Sequence, residues 1–308
     1  MIPKRIFYVW GVNDPKKRDV QVCIQTWRQI MPDYEIIELN EDNKKYFDYE
    51  KELRENKWFR TVYENKMWAY VADYIRIKVL YEHGGIYFDT DVSVVKPLDK
   101  FLKEKCFVGM QDSATDGNSD YVEPAILGAQ KGNKFLKFIL DIYNDDIWKL
   151  PIYTMPELFF YSIKTLYKDN VKPFGARNQE KVIKYEDISV YPEGVFIPFR
   201  VREKFTPECI TDKTYTIHWW NASWQKPEVL YFLNNKHKKH LSEFKLPLDI
   251  LVRDCRFCLP FSKTAIIKTQ EYQTHKKITL LHIIPLLDIT NKWVKLFGFL
   301  PIMSVKRG

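Results

Sequence analysis

The segment YEHGGIYFDTDV, residues 81–92, decides the fold, because it joins the end of a helix to two glycines and a strand that finishes in two acidic residues. Upstream, from about residue 64 to 82, apolar side chains recur at helical spacing and predict a long helix, and the glycines are its stop signal. GIYFDTDV reads as a strand, in which Asp89 and Asp91 point to the same side.

Strands and helices alternate on both sides of this segment. RIFYVW at 5–10 and YEIIELN at 34–40 read as strands, with a helix around VCIQTWRQI between them. This order predicts an α/β domain with a mixed, mostly parallel sheet, whose ligands bind beyond the carboxyl ends of the strands. Further strands are predicted at FVGMQD, AILGAQ, VYPEGVFIPF and YTIHWW, a further helix at KFLKFILDIY, and a substrate-facing loop at SATDGNSDYVE.

Composition narrows the class of protein. With 308 residues and 45% hydrophobic content, the chain can bury the core of one large domain, or of one domain with an appendage. The start, MIPKRIFYVW, lacks the features of a secretory signal, and the apolar runs are shorter than the roughly 18 residues that a transmembrane helix needs. Five cysteines, an odd number, argue against a disulfide framework. We therefore expect a cytoplasmic protein without membrane spans.

The excess of positive over negative charge lies at the C-terminal end of the chain. Residues 225–308 carry 15 Lys and Arg against 6 Asp and Glu, a net charge of +9, whereas the rest carries −1. A neutral body with a basic, aromatic-containing tail favours an anionic membrane surface over nucleic acid as the partner. We expect a catalytic domain over 1–225 and a basic, helical or irregular appendage over 226–308. The spacing of apolar residues in 289–300 predicts a helix there, which is either interfacial, with Trp293 at the headgroups, or packed on the catalytic domain.

The acidic pair is compatible with several kinds of site. A calcium loop is excluded, because Val94 and Lys100 occupy the positions that need Gly and Glu. A phosphatase of the haloacid-dehalogenase type would use one Asp as nucleophile, but its motif belongs on the first strand of the fold. A sugar-nucleotide site would use both carboxylates to bind Mg²⁺ or Mn²⁺, which neutralises a diphosphate. The simplest interpretation is a pair of solvated carboxylates at the end of a strand.

A second charged pair lies on the preceding helix. Asp73 and Arg76 are three residues apart and therefore share a helix edge. The simplest interpretation is that they form a local ion pair. They stand one helix and one glycine turn before the two Asp residues. A carboxylate that accepts from hydroxyls and a fixed cation are what sugar-nucleotide binding requires.

The segment 68–92, WAYVADYIRIKVLYEHGGIYFDTDV, closely resembles the signature of the DXD sugar-transfer family, family 32 of the glycosyltransferases. That family includes bacterial capsular polysaccharide and lipo-oligosaccharide transferases and a yeast mannosyltransferase, and it is related to the glucosylating clostridial toxins. The similarity runs from IPKRIFYVW to HWWNASW at 218–224. It implies a GT-A-type, Rossmann-like domain that binds a nucleoside-diphosphate sugar.

The resemblance also implies roles for single residues. Asp89 and Asp91 look like the ligands of the metal and the sugar nucleotide, and Asp73 and Arg76 look like contacts to the ribose and the donor sugar. Trp10 takes the place of an aromatic residue that stacks on the base. The family has a C-terminal motif that closes over the diphosphate. The residues that resemble this motif here are His218, which is the expected last metal ligand, Ser223 and Trp224.

The function implied is a metal-dependent, retaining glycosyltransferase. It would use a UDP-linked donor and Mn²⁺ or Mg²⁺, and a glycan or lipid-linked oligosaccharide would accept the sugar in bacterial surface polysaccharide synthesis, at the inner face of the cell membrane. The alternatives are the phosphatase, with Asp89 and Asp91 in its site, and a non-enzymatic adaptor that binds glycans or membranes. A zinc set is formally possible in the tail, although the polar KHKKH run there favours a solvated basic segment. Its four residues are His237, His240, Cys255 and Cys258.

Overall fold

The computed structural model describes residues 1–12, 14–111, 121–168, 181–200, 203–220 and 233. It also describes the backbone of six strands between residues 251 and 304. The chain divides into two compact units, Met1–Trp224 and Gln225–Gly308.

The first unit alternates strands and helices along the chain. Short 3₁₀ turns lie at Asp99–Phe101 and Pro207–Cys209, and a π-helical turn at Ile142–Asp146 extends the fifth helix. The strands among its described residues are β1 (Arg5–Val9), β2 (Glu35–Leu39), β3 (Gly85–Phe88), β4 (Val92–Val94), β5 (Cys106–Gln111), β6 (Tyr121–Ala129), β7 (Ile183–Lys184), β8 (Ser189–Tyr191) and β9 (Thr216–His218). The α-helices among them are α1 (Arg18–Ile30), α2 (Tyr49–Glu55), α3 (Lys57–Glu64), α4 (Trp68–His83), α5 (Lys134–Asp141) and α6 (Met155–Leu166).

Seven of these strands form the central sheet, in the order β2-β1-β3-β6-β5-β8-β7. The β1–β2, β1–β3 and β5–β8 pairs are parallel, and the β3–β6, β5–β6 and β7–β8 pairs are antiparallel. This mixed sheet, with helices between its strands, confirms the predicted α/β class. Since β1 and β3 are parallel neighbours, the residues that follow them lie at the same edge of the sheet.

The two glycines between α4 and β3 are required by their surroundings. Gly84 has φ +68° and its N–H donates to Leu80 O at 2.9 Å, which ends the helix. A Cβ on Gly84 would lie 2.8 Å from Lys131 N, and one on Gly85, at φ +135°, would lie 2.6 Å from Arg5 Cγ. Side chains are therefore excluded from this turn, and the chain passes directly from the helix into the sheet.

The core holds the sheet and helices in fixed positions. On α1, Trp27 is fully buried, packs edge-on against Tyr8 and Phe88, and donates from Nε1 to Val92 O at 2.7 Å. On α4, Tyr74 is buried and donates to Glu52 at 2.5 Å. Among the described side chains, Cys23, Cys106 and Cys209 are free thiols. The core thus anchors α1 and α4 against the strands that carry the two Asp residues.

The predicted strand GIYFDTDV is divided in the structure. β3 ends at Phe88, Asp89–Asp91 form a turn in which Val92 N–H donates to Asp89 O at 3.1 Å, and β4 begins at Val92. β4 leaves the central sheet and pairs antiparallel with β9. The prediction that Asp89 and Asp91 share one face of a continuous strand is therefore wrong, because β4 has its partner 124 residues later in the chain rather than beside β3.

The second unit is built of strands rather than helices. β10 (Leu251–Cys258), β11 (Ala265–Tyr272), β12 (His275–Leu280), β13 (Ile284–Thr290), β14 (Trp293–Leu296) and β15 (Leu300–Ser304) pair in sequence order as an antiparallel sheet. The predicted helical or irregular appendage and its interfacial helix over 289–300 are therefore wrong. Short strands separated by turns can show apolar residues at helical spacing by coincidence, and pairing with neighbouring strands decides the outcome.

The possible zinc residues of this unit are only partly described. Cys255 and Cys258 lie in β10, whereas His237 and His240 fall outside the described residues. Over the part of the chain that the structure describes, no helix is long and apolar enough to cross a bilayer.

Candidate functional site

Three potential metal ligands meet at the edge of the sheet. Asp89, Asp91 and His218 each direct one ligand atom into a space in which these atoms lie within 4.8 Å of one another. Asp89 N–H donates to Ala125 O at 2.9 Å, which fixes the start of the turn to β6. The structure therefore brings together two acidic residues that are two positions apart in sequence and a histidine that is remote.

His218 reaches the acidic turn through the pairing of β4 with β9. Val92 lies opposite His218 in the register, and Trp219 N–H donates to Asp91 O at 2.9 Å. His218 Nε2 is 3.3 Å from Asp91 Oδ1. Burial disfavours the charged imidazole, but the hydrogen bond and charge of Asp91, with Glu123 and Asp89 nearby, outweigh it and raise the pKa of His218. Within the described residues, the buried His218 Nδ1 has no hydrogen-bond partner.

Arg76 connects α4 to the acidic turn. Its Nη2 contacts Asp89 Oδ1 at 2.7 Å and Asp73 Oδ1 at 3.1 Å, and its Nη1 donates to Pro124 O at 2.6 Å. The guanidinium carbon lies 4.6 Å from the centre of the Tyr87 ring, and Arg76 is 4% exposed. Burial opposes its charge, yet the two carboxylates raise its pKa, so Arg76 stays positively charged. The predicted Asp73–Arg76 pair exists, and it extends to Asp89.

The two carboxylates bound to Arg76 are themselves largely buried. Burial raises the pKa of Asp89 to about 6, with Arg76 opposing that shift and Asp91 adding to it. Burial likewise raises the pKa of Asp73 to about 6, although Arg76 lies beside it. A carboxylate whose pKa is raised by burial gains more from a nearby cation than a solvated one does, because burial removes the water that would otherwise stabilise its charge. The site thus favours the binding of positive charge.

Of the three remaining predicted site residues, the structure describes Trp10. Trp10 follows β1 at the same sheet edge as Asp89, is partly buried, and donates from Nε1 to Asp14 O at 2.6 Å, with Lys16 Nζ 5.9 Å from its ring centre. Ser223 and Trp224 fall outside the described residues.

Glu123 is a site residue that the residue-by-residue prediction missed. It lies in β6, and its carboxylate accepts from Ala125 N–H at 3.1 Å, next to the residue whose carbonyl oxygen holds Arg76. Burial raises its pKa, and it interacts electrostatically with His218, Asp89 and Arg76. The available signal was its position at the end of the polar loop SATDGNSDYVE, which was predicted to face substrate.

The donor set fits a divalent cation of the Mg²⁺ or Mn²⁺ type. Carboxylate oxygens suit both ions, and an imidazole nitrogen is tolerated better by Mn²⁺. The raised pKa of Asp89 and the close approach of the three ligand atoms are the structural observations that support this fit.

The second acidic pair considered for a phosphatase has a different setting. Asp145 and Asp146 belong to the π-helical turn after α5, and Asp146 forms an exposed ion pair with Lys149 at 2.8 Å. This local, solvated pairing gives no support to a phosphatase site.

Comparison with known proteins gives one family match and one curated relative. Residues 17–108 match the model of the glycosyltransferase sugar-binding region containing the DXD motif. Inositol phosphoceramide mannosyltransferase 3 of Schizosaccharomyces pombe is 30% identical over 142 residues, which cover 44% of this chain. The aligned part spans only 35% of that relative's length.

Two solved structures that are partly similar to this chain are named as glycosyltransferases. The PaToxG glycosyltransferase aligns with a TM-score of 0.38 and 20% identity, over 53% of this chain and 69% of its own. A glycosyltransferase involved in the glycosylation of the major capsid of PBCV-1 aligns with a TM-score of 0.36 and 12% identity, over 70% and 93% of the two chains.

The matched region begins just before α1 and ends within β5, so it contains Asp73, Arg76, Asp89 and Asp91. The family-model match therefore covers the same stretch of the chain as the central motif of the resemblance seen in the sequence. Residues 17–108 of this chain are therefore similar to the sugar-binding region of the DXD glycosyltransferases.

Proposed function

We propose that this protein is a metal-dependent glycosyltransferase of GT-A type, with residues 1–225 as its catalytic domain. It transfers a sugar from a nucleoside-diphosphate donor, UDP-linked, to a hydroxyl of a glycan or lipid-linked oligosaccharide. The observation that carries the proposal is the convergence of Asp89, Asp91 and His218 beside the buried Arg76. We further propose that the reaction serves bacterial surface polysaccharide synthesis.

In this proposal Asp89, Asp91 and His218 hold Mn²⁺ or Mg²⁺. The bound cation supplies positive charge that stabilises the diphosphate as its negative charge develops. Arg76 holds Asp89 in position through the 2.7 Å contact, so that the ligand oxygen does not need to reorganise when the ion binds.

The donor is recognised by residues on both sides of the acidic turn. Trp10 stacks on the base, and Asp73 accepts a hydrogen bond from a ribose or sugar hydroxyl. Arg76 contacts the donor sugar as well as Asp89. Ser223 and Trp224 donate hydrogen bonds to the phosphate oxygens, because a hydroxyl and an indole N–H are both donors.

Transfer occurs with retention and without a covalent enzyme intermediate. The acceptor oxygen forms a bond to the anomeric carbon on the face from which the diphosphate departs. The bond from that carbon to the diphosphate oxygen breaks, and the acceptor's proton moves to the departing diphosphate. Hydrogen-bond donors placed around the departing diphosphate oxygen lower the barrier, because negative charge develops on that oxygen.

The curated relative supports a membrane-linked acceptor. Its name describes a mannosyltransferase acting on inositol phosphoceramide, which is a lipid. In our proposal the basic region 226–308 brings the enzyme to an anionic membrane surface from the cytoplasmic side, through a net charge of +9 over residues 225–308.

A donor screen tests the proposed activity. The full-length protein should hydrolyse one of a panel of UDP- and GDP-sugars slowly in the presence of Mn²⁺, and chelation with EDTA should stop it. Asp91→Asn should lose most of this activity while keeping the wild-type circular dichroism spectrum, because an amide binds a divalent cation far less well than a carboxylate. Release of phosphate from p-nitrophenyl phosphate without sugar-nucleotide hydrolysis would instead indicate the phosphatase. Binding to glycans or vesicles with neither activity would indicate the adaptor.

A further inference from the structure

A cavity of about 570 Å³ opens beside the acidic turn. Its wall is formed by the first two turns of α1, the start of β4 and the residue after β9, and most of the lining is apolar. Arg18, Asp19, Val22, Cys23, Ser93 and Trp219 line it, and Asp91 borders it. Its volume falls within the roughly 300–1,000 Å³ that is usual for pockets that bind small molecules.

Trp219 lines this cavity and is held in place by several contacts. Its Nε1 donates to Ser93 Oγ at 2.7 Å, and its backbone N–H donates to Asp91 O at 2.9 Å. Its ring packs against Phe205 at 4.9 Å between ring centres and against Phe199 at 6.0 Å. Despite these contacts Trp219 is 38% exposed. An aromatic face that is fixed in position yet open to solvent is a prepared binding surface, because little entropy is lost when a ligand packs on it.

Among the residues that the structure describes, the cavity and the metal-ligand cluster share Asp91. Asp91 belongs to both, whereas Trp10, Asp73 and Arg76, which the proposed function assigns to the donor, do not line the cavity. A ligand in the cavity would therefore lie beside Asp91 and away from Trp10, Asp73 and Arg76. The second substrate of the transfer needs such a position.

The lining has the chemistry of a sugar-binding surface. The C–H face of a pyranose ring is apolar and packs on an indole ring, and Val22, which is 51% exposed on α1, extends the apolar surface. Arg18 and Asp19 provide a cation and a carboxylate that can hydrogen-bond to hydroxyls at the rim. An apolar floor with a few polar groups gives both affinity and orientation.

We propose that this cavity binds a sugar ring of the acceptor, stacked on Trp219, with the reacting hydroxyl directed toward Asp91. The inference rests on the proposed function, since an acceptor exists only if the protein transfers a sugar. It adds a substrate class and a specificity-determining residue to that function.

Direct binding tests this inference without relying on activity. Saturation-transfer NMR of the full-length protein with methyl glycosides of glucose, galactose, mannose and N-acetylglucosamine, without metal or donor, should show binding of at least one. Trp219→Ala should weaken that binding on the order of tenfold, and Trp219→Phe should keep most of it, because a ring is restored. Val22→Glu, which changes an exposed helix position and leaves the Ser93 contact intact, should weaken it as well.

The matched control is Tyr161→Ala, which removes an aromatic side chain of similar exposure, 36%, from α6. It should bind the methyl glycosides as the wild type does. Binding of no methyl glycoside to the wild type, or equal binding by Trp219→Ala and Val22→Glu, would overturn the inference. Weakened UDP-sugar binding in Trp219→Ala with unchanged glycoside binding would assign the cavity to the donor and also overturn it. Glycoside binding that depends on Trp219, in a protein without donor hydrolysis, would count against the proposed function alone.

Discussion

Replacing Arg76 by Met should destabilise the first unit strongly. The guanidinium is 4% exposed and contacts Asp89 at 2.7 Å, Asp73 at 3.1 Å and the Pro124 carbonyl at 2.6 Å. Met keeps most of the side-chain volume but leaves two largely buried carboxylates without a cation. Removing one partner of a buried ion pair costs about 3–5 kcal/mol.

That free energy converts into a measurable melting shift. For a domain of roughly 150–250 residues, 1 kcal/mol corresponds to about 2–4 °C in Tm, so Arg76→Met should melt on the order of 10 °C below the wild type. Arg76→Lys should fall between the two, because a single ammonium supplies the charge but cannot donate in two directions at once. Differential scanning calorimetry of the metal-free protein measures both shifts.

A second substitution separates lost charge compensation from lost packing. Adding Asp73→Asn to Arg76→Met removes one of the uncompensated carboxylates and should recover part of the lost stability. The control is Lys137→Met, whose partner Asp141 lies 2.5 Å away in a pair that is half exposed, and its Tm should change by less than about 3 °C. If Arg76→Met melts within 2–3 °C of the wild type, or if Asp73→Asn lowers its Tm further, the buried-pair reasoning is wrong.

The metal-ligand cluster and the basic region give three further predictions. His218→Ala should weaken Mn²⁺ binding, measured by calorimetric titration, more than it weakens donor binding; equal Mn²⁺ affinity would refute a ligand role. Because burial raises the pKa of Asp89 to about 6, protons compete with the ion, and Mn²⁺ affinity should fall as pH is lowered from 7 to 5. Glu123→Gln removes a like charge and should move that loss to lower pH, and an unchanged profile would contradict this. Changing Lys292, Lys295, Lys306 and Arg307 to Gln should weaken binding to phosphatidylserine vesicles at low salt by up to roughly a thousandfold, because each residue contributes about 1 kcal/mol. A wild type that stays in the supernatant after vesicle sedimentation would refute the membrane proposal.

Local sequence determined the elements around the glycine turn. The apolar spacing before residue 83 and the two glycines after it depend on neighbours within one or two turns, so α4 and the start of β3 were predicted close to their observed positions, whereas the predicted end of that strand was wrong. The same holds for β1, α1 and β2. The two Asp residues and the Asp73–Arg76 pair could be identified as a candidate site because their spacing is short, and the family-model match over 17–108 covers them.

Only the tertiary structure decided which remote residues complete that site. β4 turns away from β3 because its hydrogen-bonding partner, β9, lies 124 residues later, and this pairing brings His218 to Asp91. Glu123 joins the site because β6 lies beside β3 in the sheet. The exposed face of Trp219 arises from contacts with Ser93 and two phenylalanines that are distant in sequence. In 251–304, strand pairing overrode an apolar spacing that matched a helix. The periodicity of apolar residues reflects only local secondary structure. A site made from several strands depends instead on pairings between segments far apart in the chain.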